Sequence, residues 1–144
     1  MTDRKRAFVK KYLIIAGIAA AVIAAAILLR WRASTYLENA DDRVTYLASL
    51  GWTCDASSEQ YREITLPDTF GGVMEEYNQM QIRNGFDMSR YAGKVCQQYI
   101  YTLTEHPGSL TVYAVIYIYD GHVIGGDIHT AAIDGYIHGL CETR

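Results

Sequence analysis

The sequence has few of the residues that would define a catalytic or metal-binding chemistry. Its three cysteines include no Cys-x-x-Cys pair, which argues against a thiol redox centre and a zinc site. No serine lies in a Gly-x-Ser-x-Gly motif, so the nucleophile elbow of α/β-hydrolases is absent. Proline is scarce, with two in 144 residues, whereas tyrosine and glycine number twelve each. This composition is typical of a folded chain, and the length allows one domain.

Basic residues are also scarce after position 32. Residues 33–144 contain six Lys/Arg and fifteen Asp/Glu, a net charge of −9. Nucleic-acid binding requires clustered Lys/Arg, so this acidic part excludes a nucleic-acid partner. Residues 1–32 carry seven basic residues and one acid, a net charge of +6. Such a division indicates that the two parts of the chain face different surroundings.

One long apolar run is present, from Tyr12 to Leu29, and it contains no charge. As a helix these residues span about 27 Å, close to the roughly 30 Å of a bilayer's hydrocarbon core. Tyr12 and Trp31 bracket the run at positions where interfacial aromatic residues occur. The run therefore predicts a single transmembrane helix over residues 12–29, with the lipid bilayer as its partner.

The charges beside this run predict its orientation. Five basic residues precede it and two follow it, which places the N-terminus in the cytoplasm and the C-terminal part outside. A cleaved signal peptide has a shorter apolar region and a small-residue cleavage site, whereas Arg30-Trp31-Arg32 follows here. We expect a basic cytoplasmic stub (1–11), an uncleaved anchor at the cell membrane (12–29), a linker (30–40) and an extracytoplasmic domain (41–144).

The first half of this domain predicts two helices and two short strands. One helix, capped by Asp41 or Asp42, ends at Gly51; a second is capped by Asp68 or Thr69 and ends at Gly85. The second helix has an apolar face of Phe70, Val73, Met74, Tyr77 and Met80. The short strands are Trp52–Asp55 and Tyr61–Leu66, separated by a turn at Ser57-Ser58.

In the second half the apolar period changes to two residues. This predicts the strands Lys94–Thr104, Leu110–Tyr119 and His122–His129, with a tight hairpin turn at Asp120-Gly121. The tail, Gly135–Leu140, predicts a docked loop or short turn. The expected fold is α+β, with helices packed on one face of an antiparallel sheet.

The order of several short motifs is similar to that of a known family. The motifs are Gly51-Trp52, Leu66-Pro67, Phe70, Tyr77-Asn78 with Gln81, Gly85-Phe86-Asp87-Met88, Tyr91-Ala92-Gly93-Lys94, Tyr99, Tyr101, Ile124-Gly125-Gly126-Asp127 and Gly135-Tyr136 to His138-Gly139-Leu140. Over residues 41–141 the chain resembles the domain-of-unknown-function family numbered 4830, found in membrane-anchored proteins of clostridia and relatives. The resemblance implies an extracytoplasmic domain behind an N-terminal anchor. It implies no activity and no functional residues.

Two elements of the last strand invite a chemical interpretation. Gly125-Gly126-Asp127 is similar to part of a cyclic-dinucleotide synthase signature, but Ile128 and His129 stand where that signature needs an acid and Phe. The glycines instead indicate a bulge or a close approach by a ring or backbone. Asp127 and His129 share a strand face and could ligate a metal with His122 or His138, although an Asp–His hydrogen bond explains the pair more simply. No catalytic residue, metal ligand or cofactor is assigned.

The cysteines Cys54, Cys96 and Cys141 leave two alternatives open. Outside the cytoplasm, one disulfide and one free thiol are compatible with an odd number of cysteines. Reduced cysteines packed as small apolar side chains are equally compatible, and the apolar neighbours of Cys96 favour this state for it.

Tyrosine is the one marked excess, and Tyr113, Tyr117 and Tyr119 lie on one face of a predicted strand. We expect the alternate aliphatic row, represented by Ile116, to pack against the Phe70 helix. The tyrosine row should then face away and remain partly wet. Its ordinary role is cross-strand packing, but with room beside Gly126 it could form an aromatic binding surface. The candidate ligand-binding residues are therefore Tyr113, Tyr117, Tyr119 and Gly126.

Three functions fit these features. The leading hypothesis is a membrane-tethered, non-enzymatic interaction or ligand-binding module at the cell surface, whose partner is an envelope protein, a peptide or a glycan. The second is a small cell-envelope enzyme that uses Asp127 and His129. The third is a structural subunit of a membrane complex, because the small residues of the apolar run, such as Gly17 and Ala24, allow close helix packing.

Overall fold

A computed structural model describes residues 15–26, 36–104, 110–132 and 134–142. The chain divides into two units, Met1–Ser34 and Thr35–Arg144. In the first unit, residues 15–26 form a helix, α1. The cytoplasmic stub and both ends of the predicted 12–29 span lie outside the described residues. No helix that the structure describes is both long enough and apolar enough to cross a membrane.

The second unit is an α+β domain, as predicted. Its helices are α2 (Ala40–Ser49), α3 (Val73–Arg83) and a 3-10 helix (Met88–Tyr91). Its five strands are β1 (Cys54–Thr65), β2 (Val95–Leu103), β3 (Val112–Tyr119), β4 (His122–Thr130) and β5 (Ile137–Gly139). The strands form one antiparallel sheet in the order β1-β2-β3-β4-β5.

The predicted meander of β2, β3 and β4 is confirmed. Asp120 and Gly121, at the hairpin between β3 and β4, both have positive φ angles, 50° and 74°. Two positive φ angles are the signature of a type I′ turn, whose twist matches that of the flanking strands. The segment before α2 also contacts this hairpin: Tyr36 forms an isolated bridge with His122, and the Leu37 amide donates to the Gly121 carbonyl at 2.7 Å.

Three local expectations were wrong. The two strands predicted around Ser57-Ser58 are one strand, β1, in which a bulge between Asp55 and Gln60 absorbs the supposed turn. The tail is not only a loop, because Ile137–Gly139 pairs with β4 as β5. The N-cap of α2 is Asn39, which forms a reciprocal capping box with Asp42.

The second helix also begins later than predicted. Neither Asp68 nor Thr69 caps it; α3 follows Gly72, whose φ of 57° lies in the left-handed region. Val73 is 80% exposed and is therefore not part of the buried side. That side instead carries Asn78, Met80 and Gln81, so it is more polar than the predicted apolar stripe.

Both faces of the sheet are covered, and this corrects the expectation of helices on one face. Leu47 of α2 belongs to a core cluster with Val112, Ala114, Ile116 and Ile118 of β3. Met88 of the 3-10 helix belongs to a second cluster, against which Tyr77 of α3 and Tyr117 pack. The reason is that β3 and β4 are apolar on both sides, so each side requires a cover.

The face assignment of β3 was consequently half right. Ile116 is fully buried and Tyr117 is only partly buried, as expected. However, Phe70 packs in the cluster with Tyr117 and Tyr119, not in the cluster with Ile116. The aliphatic row therefore faces α2, and the tyrosine row faces α3 and the 3-10 helix.

Candidate functional site

We call the sheet surface that carries Tyr113, Val115, Tyr117 and Tyr119 the tyrosine face. A groove of ≈ 460 Å³ crosses it beside α3. We call this the tyrosine groove. Its walls include Arg62, Gln98, Tyr117, Asp127, His129 and Tyr136. The volume lies within the range typical of small-ligand sites.

The sheet register brings these side chains together. Arg62 pairs with Gln98, and Gln98 pairs with Tyr117, so three adjacent strands contribute one row. Asp127 pairs with Val115, and His129 pairs with Tyr113, so β4 contributes two further rows. Because directly paired residues lie on the same face, all of these side chains point to the tyrosine face.

Two side-chain hydrogen bonds lie at the floor of the groove. The Gln98 amide donates to the Tyr117 hydroxyl at 3.0 Å, and the Tyr77 hydroxyl donates to Oδ2 of Asp127 at 2.6 Å. The Tyr77 and Tyr117 rings meet edge to face, which brings these two pairs side by side. Burial and the nearby Asp127 charge raise the pKa of both hydroxyls, which keeps them protonated.

His129 completes the network from the other side. Its Nδ1 lies 2.7 Å from Oδ1 of Asp127. An ionised carboxylate only accepts, so Nδ1 carries the proton and Nε2 is left for another partner. The Asp127 hydrogen bond raises the pKa of His129, and a third of the His129 side chain is exposed. The ring also packs on Tyr113, with centroids 5.7 Å apart.

A second cavity of ≈ 340 Å³ adjoins the groove. We call it the methionine pocket; its walls are Ile64, Thr65, Leu66, Pro67, Met74, Tyr77, Met88 and Tyr117. The two cavities share Tyr77 and Tyr117, whose rings meet edge to face at 6.4 Å. The tyrosine face therefore offers a polar and an apolar site on either side of one aromatic pair.

A larger depression lies elsewhere on the described surface. It measures ≈ 630 Å³ and is an open hollow between the start of β2 and the β3–β4 hairpin, lined by Glu63, Val95, Tyr119 and Asp120 among others. Val95 is 56% exposed there. Size alone does not make this hollow the better site, because it lacks the hydrogen-bond network that the tyrosine groove contains.

The predicted binding residues do not form one cluster. Tyr117 lines the groove and Tyr113 flanks it through His129. Tyr119 instead packs on Tyr91, with centroids 5.3 Å apart, and lines the open hollow. Gly126 gives no room beside the rings, because a Cβ atom there would lie 2.3 Å from Leu140, in the core of the aliphatic face.

The glycine pair has a packing role, as the close-approach interpretation predicted. A Cβ atom on Gly125 would lie 2.7 Å from Sδ of Met88 and 3.0 Å from Oε1 of Gln81. A register shift between Tyr117 and Ile118 places a bulge beside the pair. Gly125 therefore lets the 3-10 helix and α3 approach β4, and Gly126 lets Leu140 pack against the opposite face of the strand.

His122 and His138 lie apart from Asp127. His122 packs edge-on against Tyr36 at the hairpin. His138 packs on Trp52 and stacks with Tyr136. Within the described ranges no group of three or more His, Cys, Asp or Glu side chains could hold a metal ion.

All three cysteines are free thiols. Cys96 is buried in the cluster with Met88, as expected for a small apolar side chain, and Cys141 is exposed. Desolvation by neighbouring residues raises the pKa of all three thiols, including Cys54 and Cys141. A raised pKa reduces the thiolate fraction, so none of them resembles an activated nucleophile.

Sequence reasoning missed several groove residues, among them Arg62, Tyr77 and Gln98. Tyr77 was assigned to the apolar stripe of α3, but its hydroxyl reaches the sheet. Gln98 carried a usable signal, since it stands between Cys96 and Ile100 on one strand face. A polar side chain between two apolar ones on a covered face indicates a hydrogen-bond network.

Comparison with known proteins assigns the family but no activity. No curated protein matches the chain, and no solved structure matches it. The family model described as "Domain of unknown function (DUF4830)" matches residues 46–128, which include Tyr77, Gln98, Tyr117 and Asp127. The resemblance noted from the sequence motifs is therefore confirmed, and the chain belongs to this family.

Proposed function

We propose that this chain is a membrane-tethered, non-enzymatic binding module that holds a peptide or glycan in the tyrosine groove, outside the cytoplasm. The observation that carries the proposal is the groove itself, an aromatic-walled cavity over a prebuilt hydrogen-bond network. The tether rests on the uncharged run of residues 12–29 and the basic residues before it.

The state of the network supports binding. In the part of the chain that the structure describes, every buried side-chain nitrogen and oxygen has a hydrogen-bond partner. A satisfied network is rigid and does not need to rearrange when a ligand arrives. Arg62 and Nε2 of His129 remain at the groove to contact the ligand, and the tyrosine rings offer apolar surface.

Arrays of immobilised peptides and glycans, probed with the full-length chain, test this proposal. We expect specific ligands whose signal falls in the Arg62→Glu and Gln98→Leu variants, because both side chains line the groove. Arg83→Glu and Gln79→Leu are matched controls, since both residues lie on the exposed side of α3. Ligands that respond equally to all four substitutions would place binding elsewhere, and an absence of ligands would refute the proposal.

The tether has its own test. A protease site added after Arg144 should be cleaved by protease supplied to intact cells, because the five positive charges before the run hold the N-terminus inside. A cytoplasmic reporter protein should remain intact in the same sample. Cleavage only after permeabilisation would refute the orientation.

A specific observation favours a second candidate, a small cell-envelope enzyme. Asp127 and His129 converge at a groove and form the oriented pair that general-base catalysis uses, with Nε2 of His129 as the base. A panel of chromogenic esters and glycosides incubated with the full-length chain tests it. Turnover that the His129→Gln variant loses, while the Gln79→Leu variant retains it, would establish the enzyme.

A further inference from the structure

The methionine pocket is an apolar subsite beside the polar groove. Leu66 and Met88 are almost fully buried, at 3% and 1% exposure, and Met74 is half-buried at the wall. Methionine side chains are flexible and polarizable, so they adapt to apolar groups of different shapes. A glycan hydroxyl placed among these residues would lose its hydrogen bonds to water and gain few in return. The pocket therefore favours an aliphatic or aromatic group.

The neighbouring groove supplies a cation. Arg62 is exposed at its wall, and within the described residues no acidic side chain forms an ion pair with it. The carboxylate of Asp127, in contrast, is already occupied by Tyr77 and His129. An anionic group thus meets a free cation at Arg62 and meets no unpartnered carboxylate in the groove.

The distance between the two sites limits the ligand. Arg62 and Ile64 are two residues apart on one strand face, and Ile64 lines the methionine pocket. Two residues of a strand span about 7 Å. An apolar group and an anionic group separated by only a few bonds can therefore reach both sites, passing the Tyr77–Tyr117 pair between them.

We propose that the tyrosine groove and the methionine pocket form one site for an amphipathic carboxylate, with its apolar body in the pocket and its carboxylate at Arg62. This inference rests on the proposed function, ligand binding in the tyrosine groove, and states the chemical class of the ligand. The chemistry has two sources, the C-terminal residue of a peptide or a free fatty acid. Either source presents a carboxylate close to an apolar group.

Methyl-labelled methionine in the full-length chain tests the site by NMR. The probes are N-acetyl-phenylalanine as the free acid, its carboxamide, decanoate and maltotriose. We expect the free acid or decanoate to shift the methyl signals of Met74 and Met88, but not that of Met80, which does not line the pocket. The stronger of the two acids identifies the source. The carboxamide cannot make the charge-assisted contact with Arg62, so its affinity should be about tenfold or more lower than that of the free acid.

Two pairs of variants separate binding from folding. Met74→Lys should abolish the shift of the Met88 methyl, while Val73→Lys, on the neighbouring and exposed position, should leave it unchanged. Arg62→Glu should lower the affinity for the two acids to that for the carboxamide, while Arg83→Glu should leave these affinities unchanged. Equal loss within either pair, or equal affinity for acid and carboxamide, would overturn the inference.

The two proposals fail in different ways. In one outcome, maltotriose shifts the His129 ring signals while the Met74 and Met88 methyl signals do not move. This outcome would support the proposed binding module and refute the proposal that its ligand is an amphipathic carboxylate. The same holds for a peptide found on the array that leaves these methyls fixed. If neither the probes nor any array ligand moves His129 or these methyls, both proposals fall.

Discussion

Gln81 allows a direct test of the hydrogen bonds that hold α3 against the sheet. Its side chain is fully buried, and its amide makes two hydrogen bonds to the backbone of one residue of β4, Gly126. Nε2 donates to the Gly126 carbonyl at 3.0 Å, and Oε1 accepts from the Gly126 amide at 2.9 Å. Strand β5 pairs with residues 127–129 of β4 only. The amide of Gln81 therefore takes the place that one more residue of β5 would occupy.

The loss of stability expected on removing the Gln81 side chain follows from these two hydrogen bonds. Gln81→Ala leaves a buried N–H and a buried C=O without partners, at about 1–3 kcal/mol each. Water entering the vacated space recovers part of this loss, so we expect a destabilisation of about 3 kcal/mol. At roughly 4 °C per kcal/mol, the melting temperature should fall by about 12 °C. Gln79→Ala removes a hydrogen bond on the exposed side of α3 and should cost no more than about 0.5 kcal/mol.

Thermal and urea unfolding of the full-length chain measure the two losses, and amide exchange locates them. The Gly126 amide proton should exchange faster in the Gln81→Ala variant and remain protected in the Gln79→Ala variant. Gln81→Glu adds a test of the donor, because a carboxylate cannot donate to the Gly126 carbonyl and a protonated carboxyl can. That variant should regain stability towards acidic pH relative to the parent chain. Similar losses for Gln81→Ala and Gln79→Ala would refute the reasoning.

Three further predictions concern stability. Asn39→Ala removes the capping box of α2 and should cost about 0.5–2 kcal/mol in urea unfolding; no measurable loss would contradict the cap. Gly126→Ala places a Cβ atom 2.3 Å from the Val115 carbonyl oxygen and should cost about 1–3 kcal/mol, whereas Gly71→Ala, in open space, should be neutral; equal losses would refute the contact. The pKa of His129 is raised above 6.5 in the folded state, so its contribution to stability is complete below pH 6.5 and lost as pH rises through the raised value. Melting temperatures from about pH 5.5 to 8.5 should therefore decline less in His129→Gln than in the parent chain, and an identical decline would exclude this linkage.

The β2–β4 meander was predictable because its signals are local. Alternation of apolar residues marks each strand, and Asp120-Gly121 marks the turn between two of them. Strand β1 lacked such a signal, since its side chains are mostly exposed and its bulge contains the turn-like Ser57-Ser58. Strand β5 is three residues long and exists because β4 offers a free edge, which no local pattern of the tail reveals.

The position of the tyrosine row was harder to predict, because alternation alone does not state what covers each face. Alternating tyrosines and aliphatic residues suggested one partly solvent-exposed face and one buried face of the sheet. The tyrosine face is instead partly covered by Tyr77 and Met88, which belong to elements more than 20 residues away in sequence from β3. The tyrosine groove lies beside these covering residues, where the tyrosine face is no longer covered. Its polar floor could be anticipated only from the polar residues on this face of β2 and β4, Gln98 and the Asp127–His129 pair.

The buried side of α3 explains why the groove combines polar and apolar sites. A helix that packs through aliphatic residues alone would seal the tyrosine face with apolar contacts. This helix presents Tyr77, Asn78 and Gln81, which bond to Asp127, to the Met88 amide and to Gly126 respectively. Directional bonds fix α3 and the 3-10 helix at defined distances from the sheet, and the Tyr77 ring then divides the remaining space into the tyrosine groove and the methionine pocket. The hydrogen bonds that hold the fold together are thus the same ones that shape the proposed binding site.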